Sequence, residues 1–573
     1  MKIMNEITPL VGISLAGFQV FDDLTYIPLD RLTFIFGPNS AGKSSIQDAI
    51  DLVRILQSSD RLFSEPGGGL SAEDGNKIAR HRRVKFNELS EDVGETHIYV
   101  KRKCTTKLDR VIALAANKKI VSTEFKYPLE IEDRWIIDGD FFEYEQLINN
   151  ESIIKVSAGL FQVNVEHPIF KNIDHGIDFY SISNRFKDIF SIEKGCLNFL
   201  VDLDGFKING SGIQSSRGNW LRLSKYYESS EANNSELLEA MDCLSLIIGH
   251  LMKFTNGALN LQWTNVEASR QVPKPLDLTY SLFYDRADFS MPALSGNDRY
   301  RKLAFSLTAT YFENQNPPIP IPFDWDNLGQ NNITYFSMEV NRALSEHLFI
   351  EKGYKVDFEY RVFLNESQSE SLIRGIQIDN RFIKLIVRLY LTDSDGRKLL
   401  FEDVGSGIGY VLPVLCAAYK KSNEKILKSK NYDEAEELVG KLGHPGYRED
   451  EILGDLRSVS FIQQPELHLH PALQASLGDV FIEGSASGNQ LLVETHSEHL
   501  LLRILRRIRQ THQESVISPE LKLNSQEVCV LYFQPVAGGV TKVRRLRISE
   551  GGEFMDRWPD GFFPERDREL LDE

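Results

Sequence analysis

The chain is 573 residues long, 42% hydrophobic and 10% aromatic, and carries a formal net charge of −17. Such a length exceeds what one core supports and implies two or three domains, while the acidic balance weighs against a chain that coats nucleic acid non-specifically. No apolar run approaches the roughly 20 residues of a membrane-spanning helix, and Met1 to Leu10 holds no signal-peptide core, so no membrane partner and a cytoplasmic location are expected. Cys104, Cys196, Cys243, Cys416 and Cys529 form no CxxC pair, which supports neither a disulfide framework nor a zinc ribbon.

In chain order, residues 11 to 36 predict two strands, Ile13 to Val20 and Leu32 to Phe36, joined as a hairpin around Asp22 and Asp23. Directly after the second strand stands Gly37-Pro38-Asn39-Ser40-Ala41-Gly42-Lys43-Ser44-Ser45. It opens a helix whose apolar positions Ile46, Ile50, Val53 and Leu56 recur at helical spacing. Strand, glycine-bracketed loop and helix together form the context of a phosphate-binding loop. Glycines let the backbone N–H groups turn inward on a polyanion, and the helix start adds its positive dipole end. Lys43 is expected on the β- and γ-phosphates and the Ser44 hydroxyl on Mg²⁺, so ATP and Mg²⁺ are the cofactors implied.

Thr96 to Val100 and Val111 to Leu114 then predict an antiparallel sheet packed on the nucleotide domain. From 125 to 384 the texture changes to dense Phe, Tyr, Asn and Ser without a chemical motif. That region is read as a mainly helical insertion for assembly or partner contacts, with helices at Ser235 to Phe254, Arg299 to Phe312 and Tyr335 to Leu348. The nucleotide domain resumes over 385–573, with strands at Phe382 to Leu391 and Leu399 to Phe401. In Gly405-Ser406-Gly407 a glycine-bracketed serine begins a helix; an anion site and a simple N-cap turn are both open for it. Val459 to Ile462 is a buried strand ending in Gln463-Gln464-Pro465-Glu466-Leu467-His468-Leu469-His470-Pro471. Gln490 to Thr495 is another, ending in His496-Ser497-Glu498-His499 before an amphipathic helix. Polar residues repeated at strand C-terminal ends suit a parallel sheet with its site along one edge. The basic runs Arg503 to Arg509 and Arg544 to Arg547 read either as a local nucleic-acid groove or as solvated faces.

GPNSAGKSS, DVGSGIG, QQPELHLHP and VETHSEHLLLR, in that order with a large insertion after the first, resemble the ABC-type ATPases related to SMC and OLD proteins. More closely the set resembles the bacterial AAA-named ATPases of anti-phage systems such as PARIS and Septu, whose tail is similar to Gly552-Glu553-Phe554-Met555-Asp556-Arg557-Trp558-Pro559-Asp560-Gly561-Phe562-Phe563. The resemblance implies an α/β fold: an ABC-type P-loop nucleotide-binding domain with an antiparallel β subdomain and a large mainly helical insertion. In that class two nucleotide domains sandwich two ATP molecules, and here Ser406 and Gly407 would cap the γ-phosphate held by a second protomer. The strand ending at Ile462 would be the Walker B strand, Gln463 would stand at the metal, and His496 would meet the γ-phosphate or the attacking water.

This sequence departs from the family where an aspartate and a glutamate are usual, because it has Gln463 and Gln464. A glutamine amide is no general base at neutral pH. Glu466 is the nearest carboxylate, and two readings stand for it: a substitute base, or a structural residue at a helix start. Slow or partner-triggered hydrolysis is the expectation. The function implied is an ATPase sensor or scaffold of an anti-phage system, self-associating and controlling a separate effector such as a nuclease. The alternatives are an ATPase that clamps DNA, and a nucleotide-bound switch with little turnover.

Overall fold

The computed structural model of the chain describes residues 10–58, 95–104, 119–120, 128–138, 141–157, 160–174, 178–185, 190–200, 208–209, 212–213, 262–269, 276–279, 335–363, 384–401, 403–419, 458–515, 517–536 and 538–559. The chain divides into two compact units. One comprises Met1–Trp263, Ser422–Val459 and Cys529–Leu546, the other Thr264–Lys421, Ser460–Val528 and Arg547–Glu573.

The first unit contains a sheet of nine antiparallel strands among the described residues. Across it run Phe190–Glu193, Cys196–Leu200, Leu160–Asn164, Glu151–Ser157, Phe141–Ile148, Leu129–Asp138, Thr96–Cys104, Leu10–Ala16 and Thr25–Pro28. This corrects two expectations. Leu10–Ala16 pairs with Thr25–Pro28, whereas Leu32–Phe36 lies beside Val528–Val536 in a different sheet, so the predicted hairpin between the first strand and the loop strand does not form. The division at residue 124 is also not a structural boundary, since Thr96–Cys104 pairs along its whole length with Leu129–Asp138. The described residues from 128 to 200 are therefore mostly strands of the antiparallel sheet rather than part of a mainly helical insertion. The cause is visible in Leu129–Asp138, where Leu129, Ile131, Trp135 and Ile137 are buried and alternate with Glu130, Glu132 and Arg134, a period of two that packs one face. The helices expected at Ser235 to Phe254 and Arg299 to Phe312, and the strand at Val111 to Leu114, lie outside the described residues.

The strand Leu32–Phe36 is buried at every position, and the helix Ser45–Ser58 buries Ile46, Ala49, Ile50, Leu52 and Val53. Beside the strand, Val528–Val536 turns back on Val540–Leu546 as an antiparallel hairpin.

Gln262–Val266, Ser458–Gln463 and Gln490–Glu494 neighbour one another in a sheet, and in the second unit Lys384–Thr392 pairs antiparallel with Leu276–Thr279, Lys355–Phe363 and Lys398–Leu399 in another. The helix expected over Tyr335 to Leu348 is present as an α-helix, Tyr335–Arg342, that widens into a π-turn over Ala343–Leu348. At the centre lies the helix Ser406–Ala418, buried from Ile408 to Ala418 except for the half-exposed Tyr410. Its last carbonyls have no helical partner, as at any helix end. The Ser460 hydroxyl donates to Ala417 O at 2.9 Å, and Asn489 Nδ2 donates to Ala417 O at 2.7 Å and Ala418 O at 3.2 Å. Helix Pro471–Ala486 starts where the His470 side chain accepts from the Ala472 N–H and proline occupies the first turn; helix Glu498–His512 starts on Ser497, whose hydroxyl accepts from the Leu500 N–H at 3.2 Å. Among the described residues, no helix is long and apolar enough to cross a membrane.

Candidate functional site

The residues singled out in the sequence fall into two sets, one in each unit. In the first unit the loop leaves Phe36 through Gly37 at φ 146°, passes Ser40 at φ 62° and turns into the helix through Gly42 at φ 81°. Two of these positions demand glycine for space as well. A Cβ on Gly37 would stand 2.5 Å from the Phe533 carbonyl oxygen, and one on Gly42 would stand 2.2 Å from Val20 Cγ2. Pro38, Asn39 and Ser40 are exposed, Ala41 is buried, and Ser44 is half-buried at the foot of the helix. Lys43 is 5% exposed, and its Nζ donates to Gly37 O at 3.1 Å and Pro38 O at 2.9 Å. The ammonium is thus drawn to the concave side of the loop rather than into solvent. A cation there, glycines that let the backbone close in, and a helix start make up the chemistry that grips a polyphosphate.

Three residues without a place in the motif hold this loop. Thr541 is buried, its N–H donates to Val20 O at 3.0 Å, and its hydroxyl donates to Ala41 O at 3.0 Å. Gln19, at φ 52°, donates from Nε2 to Asp48 at 2.6 Å and accepts from the Ser45 hydroxyl, fastening the first helical turn. No sequence signal marks Thr541 or Gln19, because each depends on a register or turn set far away in the chain; Asp48, in the first turn of a predicted helix, is legible only as a favourable charge.

In the second unit Gln463 and Gln464 end a buried strand. Gln463 Oε1 accepts from the Ala268 N–H at 3.3 Å, while Gln464 adopts φ 43° and its N–H donates to Glu494 O at 2.7 Å. Glu466 is brought directly to the loop carrying His496: its Oε2 accepts from the Thr495 hydroxyl at 2.7 Å and its Oε1 from the His496 N–H at 2.7 Å. The His496 ring is exposed. Ser406 begins its helix as an exposed residue after Gly405, whose side-chain-free N-cap leaves that end open. A Cβ on Gly407 would meet His468 O at 2.7 Å, and the Tyr410 ring stacks on the His468 ring at 4.3 Å between centroids, so the helix start and the Leu467 to Pro471 loop are packed as one surface. Among the described residues, no three His, Cys, Asp or Glu side chains gather as a group that could hold a metal.

Residues 357–503 match the family described as "AAA domain, putative AbiEii toxin, Type IV TA system". No curated protein matches the chain. Solved structures similar to it include an SMC head bound to the C-winged helix domain of ScpA, at 11% identity and TM-score 0.33 over 94% of this chain and 98% of that one. An Smc head domain with an extended coiled coil bound to the C-terminal domain of ScpA, from Pyrococcus furiosus, matches at 13% identity and TM-score 0.32 over 98% of each chain. The SMC head domain from Thermotoga maritima matches at 10% identity and TM-score 0.30 over 94% of this chain and 99% of that one.

Proposed function

We propose that this chain is an ATP-binding and ATP-hydrolysing enzyme of the ABC type, which self-associates through its nucleotide domains and serves as the sensor or scaffold of an anti-phage system with a separate effector, such as a nuclease. The observation that carries the reading is the built cradle at Gly37 to Ser45, where glycine geometry, the inward Lys43 ammonium and the helix start converge on the place a triphosphate takes. Lys43 exchanges its two carbonyl partners for β- and γ-phosphate oxygens, a gain because the new partners are charged. Ser44 offers a hydroxyl oxygen to Mg²⁺, and bound Mg²⁺ neutralises the phosphate charge that develops during transfer. Gln463 brings no charge to that ion, and its amide oxygen already accepts from Ala268. With an amide at Gln464 also, turnover is slow, and closure of one protomer's Ser406 and Gly407 over its neighbour's nucleotide is the main event. The defence role draws on the resemblance of the four motifs, with the family match over 357–503 in keeping with it.

Two variants of the full chain test this reading. Lys43→Ala removes a charged hydrogen-bond partner and is expected to weaken binding of a fluorescent ATP analogue by about ten- to a hundredfold. Ser406 is exposed, so Ser406→Arg leaves the fold and nucleotide binding intact and abolishes the ATP-dependent increase in sedimentation coefficient. Equal affinity for nucleotide in wild type and Lys43→Ala overturns the reading.

A further inference from the structure

Glu466 stands where a substitute general base is sought, yet its surroundings fit another task. Each carboxylate oxygen already accepts a hydrogen bond, from the Thr495 hydroxyl and from the His496 N–H, both at 2.7 Å. The Thr495 hydroxyl, fully buried, accepts in turn from the Ser497 N–H at 3.0 Å, so its one proton is committed to Glu466 and the direction of the chain of donors is fixed. A second bridge runs alongside: the Ser497 hydroxyl donates to Gln474 Oε1 at 2.7 Å, and Gln474 Nε2 donates to Leu469 O at 3.0 Å. The loops that follow Ser458–Gln463 and Gln490–Glu494 are therefore fastened to each other on both sides of His496. The peptide that carries the His496 imidazole is held by the Glu466 side chain on one side and by the N-cap of helix Glu498–His512 on the other.

We propose that Glu466 is the positioning residue of His496. Its ionised carboxylate fixes the Thr495–His496 peptide and so aims the imidazole, and it takes no proton from water. This rests on the reading of His496 as the residue that meets the γ-phosphate. A carboxylate acting as base would take its proton on an oxygen that already accepts a hydrogen bond, and the neutral acid would hold the Thr495 hydroxyl and the His496 N–H more weakly than the carboxylate does.

The test uses the full chain as wild type, Glu466→Gln, Thr495→Val, Thr495→Ser, His496→Ala and the double variant Glu466→Gln/His496→Ala. Affinity for a fluorescent ATP analogue, single-turnover phosphate release and amide hydrogen exchange over residues 494–498 are measured on each. Glu466→Gln presents an N–H₂ to one of the two donors, so exchange at the His496 amide rises about tenfold or more and phosphate release slows about tenfold, with nucleotide affinity unchanged. Thr495→Val moves both quantities the same way, Thr495→Ser restores them, and the double variant is no slower than His496→Ala, because residues acting as one unit are not additive. If Glu466→Gln abolishes release while Thr495→Val leaves it at the wild-type rate, or if the double variant multiplies the two defects, Glu466 is the base and the proposal falls. Unchanged exchange at His496 in both Glu466→Gln and Thr495→Val overturns it as well, whatever the turnover. A wild-type chain that binds no nucleotide while exchange responds as stated overturns instead the functional reading and with it His496's γ-phosphate role, leaving only the tie between Glu466 and the His496 peptide.

Discussion

At the scale of single residues, the loop is set by steric requirement and by one remote hydroxyl. Gly37 was legible as part of its motif, and its surroundings explain why no other residue serves there: the Phe533 carbonyl oxygen that a Cβ would strike at 2.5 Å belongs to backbone and cannot swing aside. Thr541 was not legible, because its bond to Ala41 O closes a separation of 500 residues and depends on the register of the last strand pair. The two positions predict different failures. Gly37→Ala distorts the loop outright and removes nucleotide binding. Thr541→Val leaves Ala41 O without its hydroxyl partner in a buried setting, which costs about 1–3 kcal/mol. It is expected to lower the denaturation midpoint and weaken the ATP analogue several-fold, while Thr541→Ser keeps both near wild type. A Thr541→Val chain with unaltered affinity and midpoint would show that the loop is held without this bond.

Among elements, the helix Pro471–Ala486 is the one that others are fitted to, and two of its residues show how. Gly484 lets it approach the end of Ser406–Ala418, where a Cβ would lie 2.3 Å from Ala418 O. One position earlier, the buried Glu483 accepts from Arg342 Nη2 at 2.8 Å, from the Tyr419 hydroxyl at 2.8 Å and from His347 Nε2 at 3.1 Å, tying two segments, residues 335–348 and the end of Ser406–Ala418, to one carboxylate. Burial pushes the acidity of Glu483 toward the neutral form, but His347, Tyr419 and Arg342 outweigh it and hold the carboxyl below the usual range. A carboxyl lowered on folding contributes stability above its unfolded value of about 4.3, and that contribution drains away as pH falls through the lower folded value. Glu483→Ala, which leaves a buried phenol without its acceptor and a half-exposed guanidinium to water, is therefore expected to cost about 1–3 kcal/mol at neutral pH. In denaturant titrations the gap between wild type and variant should narrow below about pH 4; a gap independent of pH would mean that the carboxylate is not what binds these segments. None of this network could be read from the sequence, where Glu483 is one more polar residue on a helix. Local periodicity did reveal the strand and helix at the phosphate loop and the strands ending at Gln463 and Glu494. It was not followed in most of the described residues between Leu129 and Leu200, where a period of two such as that of Leu129–Asp138 marks strands that pair largely with their sequence neighbours, whatever the dense Phe, Tyr, Asn and Ser composition suggests.

For the molecule as a whole, the partners of the two basic runs bear on the choice between the proposed assembly role and a DNA clamp. The net charge of −17 would permit a basic groove only if clustered guanidinium groups faced solvent together. In the run from Arg503 to Arg509, Arg503 donates to Asp479 at 2.5 Å, Arg507 donates to the same carboxylate at 2.7 Å and 2.8 Å, and Arg509 reaches Gly551 O at 3.2 Å. In the second run Arg545 pairs with Asp30 at 2.7 Å and Arg547 with Asp556 at 2.7 Å. Most of the positive charge that suggested a nucleic-acid face is thus committed to carboxylates or to the chain's own backbone, and a phosphate would have to displace a partner already at hydrogen-bond distance. Counterion release per phosphate neutralised is what gives such binding its steep dependence on salt. Mobility shifts of duplex DNA at 50 mM and 200 mM salt are therefore expected to show no shift that requires ATP and no loss of roughly 10³-fold or more in affinity between the two, the signature of six or more phosphate contacts. An ATP-dependent shift that vanishes at the higher salt, and that Arg506→Ala or Arg544→Ala weakens, would favour the DNA clamp, since Arg506 and Arg544 are exposed and are not among the paired arginines named above.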